Sequence, residues 1–227
     1  MGAAHSAVSL ADGGALAHDD VKLNVLAQSW RAGYLDDNPP LFEWFLRAAQ
    51  LAVGPVEASF LVLKYGLLAL AGVFTFSAAR EAVRDPRWAA IAALAMSLNP
   101  QIGWAYHEAF THSAALVAAM ALFWWRLLVA IRTGSAADAA LLGLALGAGA
   151  LAKYSFLGAA GAASIAVVVG AIKGRMPMIR VGRMGVLAVA TALALVWPHA
   201  AWRAANVAQS GAAWSRRTAR ARPSPPS

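Results

Sequence analysis

The sequence contains no cysteine. Disulfide scaffolds, thiolate metal sites and cysteine nucleophiles are therefore excluded. Charge is scarce as well. Only 13% of the 227 residues are charged, about half the level usual in soluble domains. A soluble chain of this length would need far more polar surface to cover one core. Acidic groups are the rarer sign, 11 against 19 basic ones, for a formal net charge of +8. No aromatic-basic surface module accompanies that excess, so nucleic acid is not an expected partner. Lys and Arg that flank membrane helices and meet anionic head groups account for it. Residues 1–17 lack a basic stretch followed by an apolar core, and so lack the pattern of a signal peptide.

What the sequence has in abundance is apolar length: 60% of residues are hydrophobic and the mean hydropathy is +0.56. A bilayer core about 30 Å thick takes roughly 20 apolar residues per helix, and shorter stretches span where the bilayer thins. Six segments qualify, at 57–79, 88–104, 113–131, 137–152, 156–172 and 185–197. The expected fold is all-α: a polytopic transmembrane helix bundle with amphipathic interfacial helices in its first outer loop. Four regions follow: a poorly ordered start (1–18), an outer loop with interfacial helices (19–56), the transmembrane bundle (57–200) and a polar, Arg/Pro-rich tail (201–227). Gly143, Gly147, Gly149, Gly158 and Gly161 crowd two of the spans. Small residues let membrane helices approach closely, although compositional bias would give the same pattern.

The loops set an orientation. Arg80, Arg84 and Arg87 follow the first span, Arg126 and Arg132 close the third, and Lys173, Arg175, Arg180 and Arg183 follow the fifth. These three groups alternate, so they share one side, which the positive-inside rule makes cytoplasmic. The opposite, outer side receives Asp19, Asp20, Asp36, Asp37, Glu43 and Glu108. In the outer loop, Leu23, Leu26, Ala27 and Trp30 fall on one helical stripe. Asp36-Asp37-Asn38-Pro39-Pro40 stops that helix. Leu41, Phe42, Trp44, Phe45 and Leu46 then surround Glu43 and Arg47 on a second, with Trp suited to head-group depth.

The outer loop also carries a motif order. Asp19-Asp20 is followed by Gly33-Tyr34 and by Asn38-Pro39-Pro40-Leu41-Phe42-Glu43-Trp44. Later come Phe110-Thr111-His112 before an apolar helix and Leu151-Ala152-Lys153-Tyr154 at the end of a Gly-rich one. Residues 19–183 thereby resemble the bacterial relatives of the protein mannosyltransferases, a superfamily with the aminoarabinose transferases and the lipopolysaccharide-core transferases of rhizobia. That family commonly shows an acidic pair, Gly-Tyr, a Gln- or His-Pro-Pro-Leu-x-x-Trp run, a Thr-Asp motif and Lys-Tyr. Here His112 replaces the acid of Thr-Asp. The family also has a spanning helix before the acidic pair and more helices beyond the sixth, so the resemblance implies a truncated member, inactive or weak alone.

The resemblance implies a transferase in the inner membrane, moving a sugar from a polyprenyl-phosphate donor to a lipid, glycan or protein acceptor on the outer face. Membrane lipid is the other partner. No ligand set demands a cofactor, and a divalent cation is compatible with the loop. Read from the residues alone, Asp19 or Asp20 caps the helix that follows. The resemblance instead makes Asp19, with Asp20 beside it, the carboxylate that takes the acceptor's proton, the role carboxylates play in glycoside hydrolysis. Tyr34, Asn38, His112, Lys153 and Tyr154 are the expected substrate-binding residues. Lys153 would meet the leaving phosphate, though a Lys-Tyr pair at a helix end also serves as a snorkelling anchor. Lys64 lies inside a span, where ionisable groups are costly, and is left outside the site. His107, Glu108 and His112 lack the spacing of a zinc protease. A transporter or other non-enzymatic multi-pass membrane protein is the alternative, weakened by the absence of an obvious inverted repeat.

Overall fold

A computed structural model describes residues 18–34, 38–83, 85–100, 102–103 and 112–220. The side chains of 18–20 and 207–220 are outside that description. The described chain is helical throughout, with no strand. Two short helices, α1 (His18–Leu26) and α2 (Leu41–Val53), lead into α3 (Glu57–Ala82). Then come α4 (Pro86–Ala95), α5 (His112–Thr133), α6 (Ala136–Ala152), α7 (Phe156–Ile172) and α8 (Met178–Arg220). The all-α polytopic bundle expected from the sequence is the fold observed. Among the described residues, three stretches are long and apolar enough to cross a membrane: Glu57–Ala82, His112–Thr133 and Met178–Asn206. Ala136–Ala152 and Phe156–Ile172 are shorter apolar helices.

The core runs α3–α5–α6–α8, each packed on the next, with α4 against α3 and α7 more loosely against α6 and α8. Small residues make the α6–α8 contact close. A side-chain carbon at Gly143 would overlap the Ala188 carbonyl and lie 2.6 Å from Thr191 Cβ, and one at Gly147 would meet Leu195. Gly158 and Gly161 in α7 face nothing within 4 Å. Close approach therefore explains the α6 glycines and not those of α7.

Two expected boundaries move. The second span, expected over 88–104, ends as α4 at Ala95 plus a single 3-10 turn, Met96–Leu98. Pro100 excludes the α region for the residue before it, and Asn99 is extended at φ −70°, ψ 121°. The last helix, expected over 185–197, runs on through Pro198 to Arg220. Pro198 cannot donate to the carbonyl four residues back, yet a membrane helix tolerates this where neighbours support it. The Ala- and Arg-rich stretch beyond holds good helix formers and no further proline before Pro223.

The basic loops share one end of the bundle. Arg132 at the end of α5 grips Glu81 at the end of α3, with Nε 2.6 Å from Oε2 and a second nitrogen 3.3 Å from Oε1. Arg126 pairs with Asp138. Asp138 also accepts from Thr133 and from the Ser135 hydroxyl, both at 2.7 Å, and Ser135 in turn caps α6 by accepting from the Asp138 amide at 3.0 Å. Gly134, at φ +64°, makes the turn and abuts the Arg180 side chain. Arg84 lies outside the described residues.

Candidate functional site at the opposite end of the bundle

At the other end, α2 lies across the ends of α3, α5 and α6. Its inward stripe is Phe42, Glu43, Leu46 and Gln50, all buried. Leu41 is buried too, and Phe45 is exposed. Pro39 and Pro40 are fully buried. Pro40 has ψ 3° and turns straight into α2. Proline restricts the residue before it, and Pro40 precedes Leu41, so nothing holds its ψ extended.

Helix α1 is fastened onto α2 by amides. Gln50 donates to Asn24 Oδ1 at 2.7 Å, and Gln28 donates to Gln50 Oε1 at 3.2 Å. The backbone of Asp19 and Asp20 forms the first turn of α1, where the helix dipole favours negative charge. Their side chains lie outside the described residues, as do Asp36, Asp37, His107 and Glu108. Asn38 is half-buried just before the two prolines.

A series of polar pairs, joined through neighbouring residues, crosses this end. Glu43 Oε1 lies 3.0 Å from His112 Nε2, and the His112 ring is tilted against Phe42 with centroids 5.1 Å apart. The next residue, Ser113, accepts from Lys153 Nζ at 3.2 Å. Beside Lys153, the Tyr154 hydroxyl is 2.9 Å from His199 Nε2, and His199 Nδ1 is 2.9 Å from the Ala32 carbonyl. A carbonyl can only accept, so Nδ1 carries the hydrogen and a neutral ring accepts from Tyr154 at Nε2. The Arg203 guanidinium sits 5.0 Å over the Tyr154 ring. Trp202 stacks on His199 and presses its face on Gly33, where no side-chain carbon would fit.

The structure thus brings together four of the expected residues: Tyr34, His112, Lys153 and Tyr154. The Tyr34 hydroxyl donates to the Ser29 carbonyl at 2.6 Å, and burial pushes its phenol pKa above the ordinary 10.0. Trp44 Nε1 donates to the Arg31 carbonyl at 2.8 Å, fixing the same loop from α2. A cavity of about 170 Å3 opens between Leu26, Arg31, Tyr34 and Trp202. Sequence reasoning missed Glu43, Ser113, His199 and Trp202 as members of this cluster. Glu43 carried a readable signal, since it shares the 42–46–50 stripe of an apolar helix face. Ser113, His199 and Trp202 carried none beyond their place at the ends of spans. Lys64 is buried within α3, its Nζ 5.4 Å from the Tyr65 ring centroid. Among the described residues no group of three or more His, Asp or Glu could hold a metal.

The profile of the family described as dolichyl-phosphate-mannose-protein mannosyltransferase matches residues 37–202. The chain belongs to that family. It is also 32% identical over 190 residues to the lipopolysaccharide core galacturonosyltransferase RgtA of Rhizobium johnstonii. That match covers 84% of this chain and 37% of the relative. RgtB of the same organism is 29% identical over 201 residues, covering 88% of this chain and 40% of the relative. The chain thus spans about two fifths of the length of these relatives. No solved structure matches it. The matched region contains every residue of the polar chain from Glu43 to Trp202.

Proposed function

We propose that this chain carries the site of a membrane glycosyltransferase that takes a sugar from a polyprenyl phosphate at the outer face of the inner membrane. The observation that carries the reading is the polar chain Glu43–His112, Ser113–Lys153 and Tyr154–His199, gathered at one end of apolar helices in a family member. Helix ends lie at head-group depth, where a lipid-linked phosphate sits. The acceptor oxygen attacks the sugar's anomeric carbon as its bond to the phosphate oxygen breaks. A carboxylate or imidazole takes the acceptor's proton. Lys153 and Arg203 stabilise the departing phosphate, as preorganised cations do at developing negative charge. Asp19 and Asp20, on the first turn of α1, remain the proposed carboxylates for the acceptor side, with Tyr34 and Asn38 lining the donor. The two rhizobial relatives favour galacturonate as the sugar and a lipopolysaccharide core as the acceptor.

The test is binding and transfer by the full chain in lipid nanodiscs, with polyprenyl-phosphate galacturonate as donor and lipid A–core as acceptor. Donor binding is expected to weaken at least tenfold in Lys153→Ala. Asp19→Asn is expected to bind donor normally and to lose transfer by about 10²–10⁴. A chain that neither binds the lipid phosphate nor transfers the sugar would leave the reading without support.

A further inference from the structure

Glu43 is fully buried, yet only one of its carboxylate oxygens is bonded. Oε1 meets His112 Nε2 at 3.0 Å, and Oε2 has no hydrogen-bond partner among the described residues. An unsatisfied buried carboxylate oxygen is expensive. An apolar residue of the same volume would serve the packing of Phe42 and Leu46 at least as well, because buried ionic groups are poor stabilisers. The carboxylate is therefore best explained by what it does to His112. Where the carboxylate is ionised it can only accept, and the hydrogen in this bond then sits on Nε2. A neutral imidazole has a single N–H, which leaves the lone pair on Nδ1. No described group hydrogen-bonds to Nδ1, and it is not among the buried unpartnered atoms. The ring is held on both sides, by the carboxylate and by the Phe42 ring.

We infer that His112 Nδ1 is the base that takes the acceptor's proton in the proposed transfer, with Asp19 binding and orienting the acceptor rather than taking that proton, and that Glu43 is the positioning residue that fixes the tautomer of His112. The inference rests on the transferase reading. His112 opens α5, and its neighbour Ser113 holds Lys153. The base and the serine that holds the phosphate-binding cation are thus neighbours at the start of one helix, which suits groups that act on one anomeric carbon. The acceptor's O–H proton passes to Nδ1 while its oxygen bonds to the anomeric carbon. The electron pair of the broken C–O bond leaves on the phosphate. Glu43 offsets the charge of the imidazolium so formed.

Nitrogen NMR of the full chain in nanodiscs, with labelled histidine, tests the pairing without any assay of activity. The sequence has five histidines, and loss of one signal set in His112→Gln assigns the ring. The wild type is expected to show the Nε2–H tautomer at His112. Glu43→Gln, whose amide can donate to Nε2, is expected to shift that ring toward the Nδ1–H form. An Nδ1–H tautomer in the wild type would overturn the inference without recourse to a Glu43 variant. In the transfer assay, Glu43→Gln is expected to lower kcat about 10²-fold or more, in the range of general-base losses, with donor KM unchanged. Glu43→Asp is expected to recover part of that rate. Wild-type transfer by His112→Gln would overturn the base role. If the wild type neither binds nor transfers a lipid-linked sugar, the transferase reading fails and the base role with it, while the tautomer still decides the pairing.

Discussion

Tyr154 and His199, 45 residues apart, share a 2.9 Å hydrogen bond that closes a path from the α6–α7 turn through α8 to the loop before α2. His199 is buried and uses both ring nitrogens, the second on the Ala32 carbonyl. The loop that carries Gly33 and Tyr34 is thus clamped by α8 from one side, and Trp202 seats on Gly33 one helical turn further along.

Tyr154→Phe keeps the ring and leaves His199 Nε2 without its partner. An unsatisfied buried polar group costs about 1–3 kcal/mol. The first effect is expected to be local, because loops open before cores do. Trypsin should cut after Arg31 several-fold faster in Tyr154→Phe and faster still in His199→Ala, with helicity by circular dichroism unchanged. Gly33→Ala should act in the same direction, since its methyl meets the Trp202 face. Unaltered cleavage in all three variants would show that the loop is held elsewhere.

The glycines of α6 and α7 separate two explanations that composition alone left open. Gly143→Leu drives a side chain into the Ala188 backbone and Thr191, and overpacking of this kind costs typically about 1–3 kcal/mol. Gly161→Ala adds a methyl where nothing lies within 4 Å and gains helix propensity of up to about 1 kcal/mol. Thermal unfolding in detergent should therefore fall for Gly143→Leu and hold or rise for Gly161→Ala. Equal losses at both sites would assign α7 a contact of its own.

The spans were readable because lipid solvates their outer faces: long runs such as 57–79 and 113–131 need no polar relief. The stop before Pro100 was partly readable too, through the restraint proline places on Asn99. Lys153-Tyr154 was readable through the family resemblance, by its place after a Gly-rich helix. Glu43 and His199 were harder. An acid on an amphipathic helix and a histidine after a span both suit a wetted surface, and their burial follows from which helices α2 and α8 lean on. That choice is tertiary: Glu43 meets His112 across 69 residues, and His199 meets Ala32 across 167. Hydrophobic periodicity carries no information about such pairs.

The last prediction concerns sidedness. Arg132 with Glu81, and Gly134 with Arg180, bring the ends of α3 and α5 and the start of α8 to one end of the bundle. Glu43 with His112, and Tyr154 with His199, define the other. The first end holds Arg80, Arg132, Lys173, Arg175, Arg180 and Arg183, and an excess of Lys and Arg in short loops marks the cytoplasmic face. The site end is then expected to face outward. The chain has no native cysteine, so single cysteines report without background. In intact cells, Arg175→Cys should be shielded from an impermeant maleimide and become reactive once the membrane is permeabilised. Asn38→Cys, half-buried beside the polar chain, should react from outside, more slowly than a fully exposed control. Arg203→Cys, on the exposed face of α8 near Tyr154, should react from outside as well. Labelling of Arg175→Cys from outside, with both other positions shielded, would invert the orientation and move the site to the cytoplasmic face. A soluble nucleotide-activated sugar would then be the donor to test.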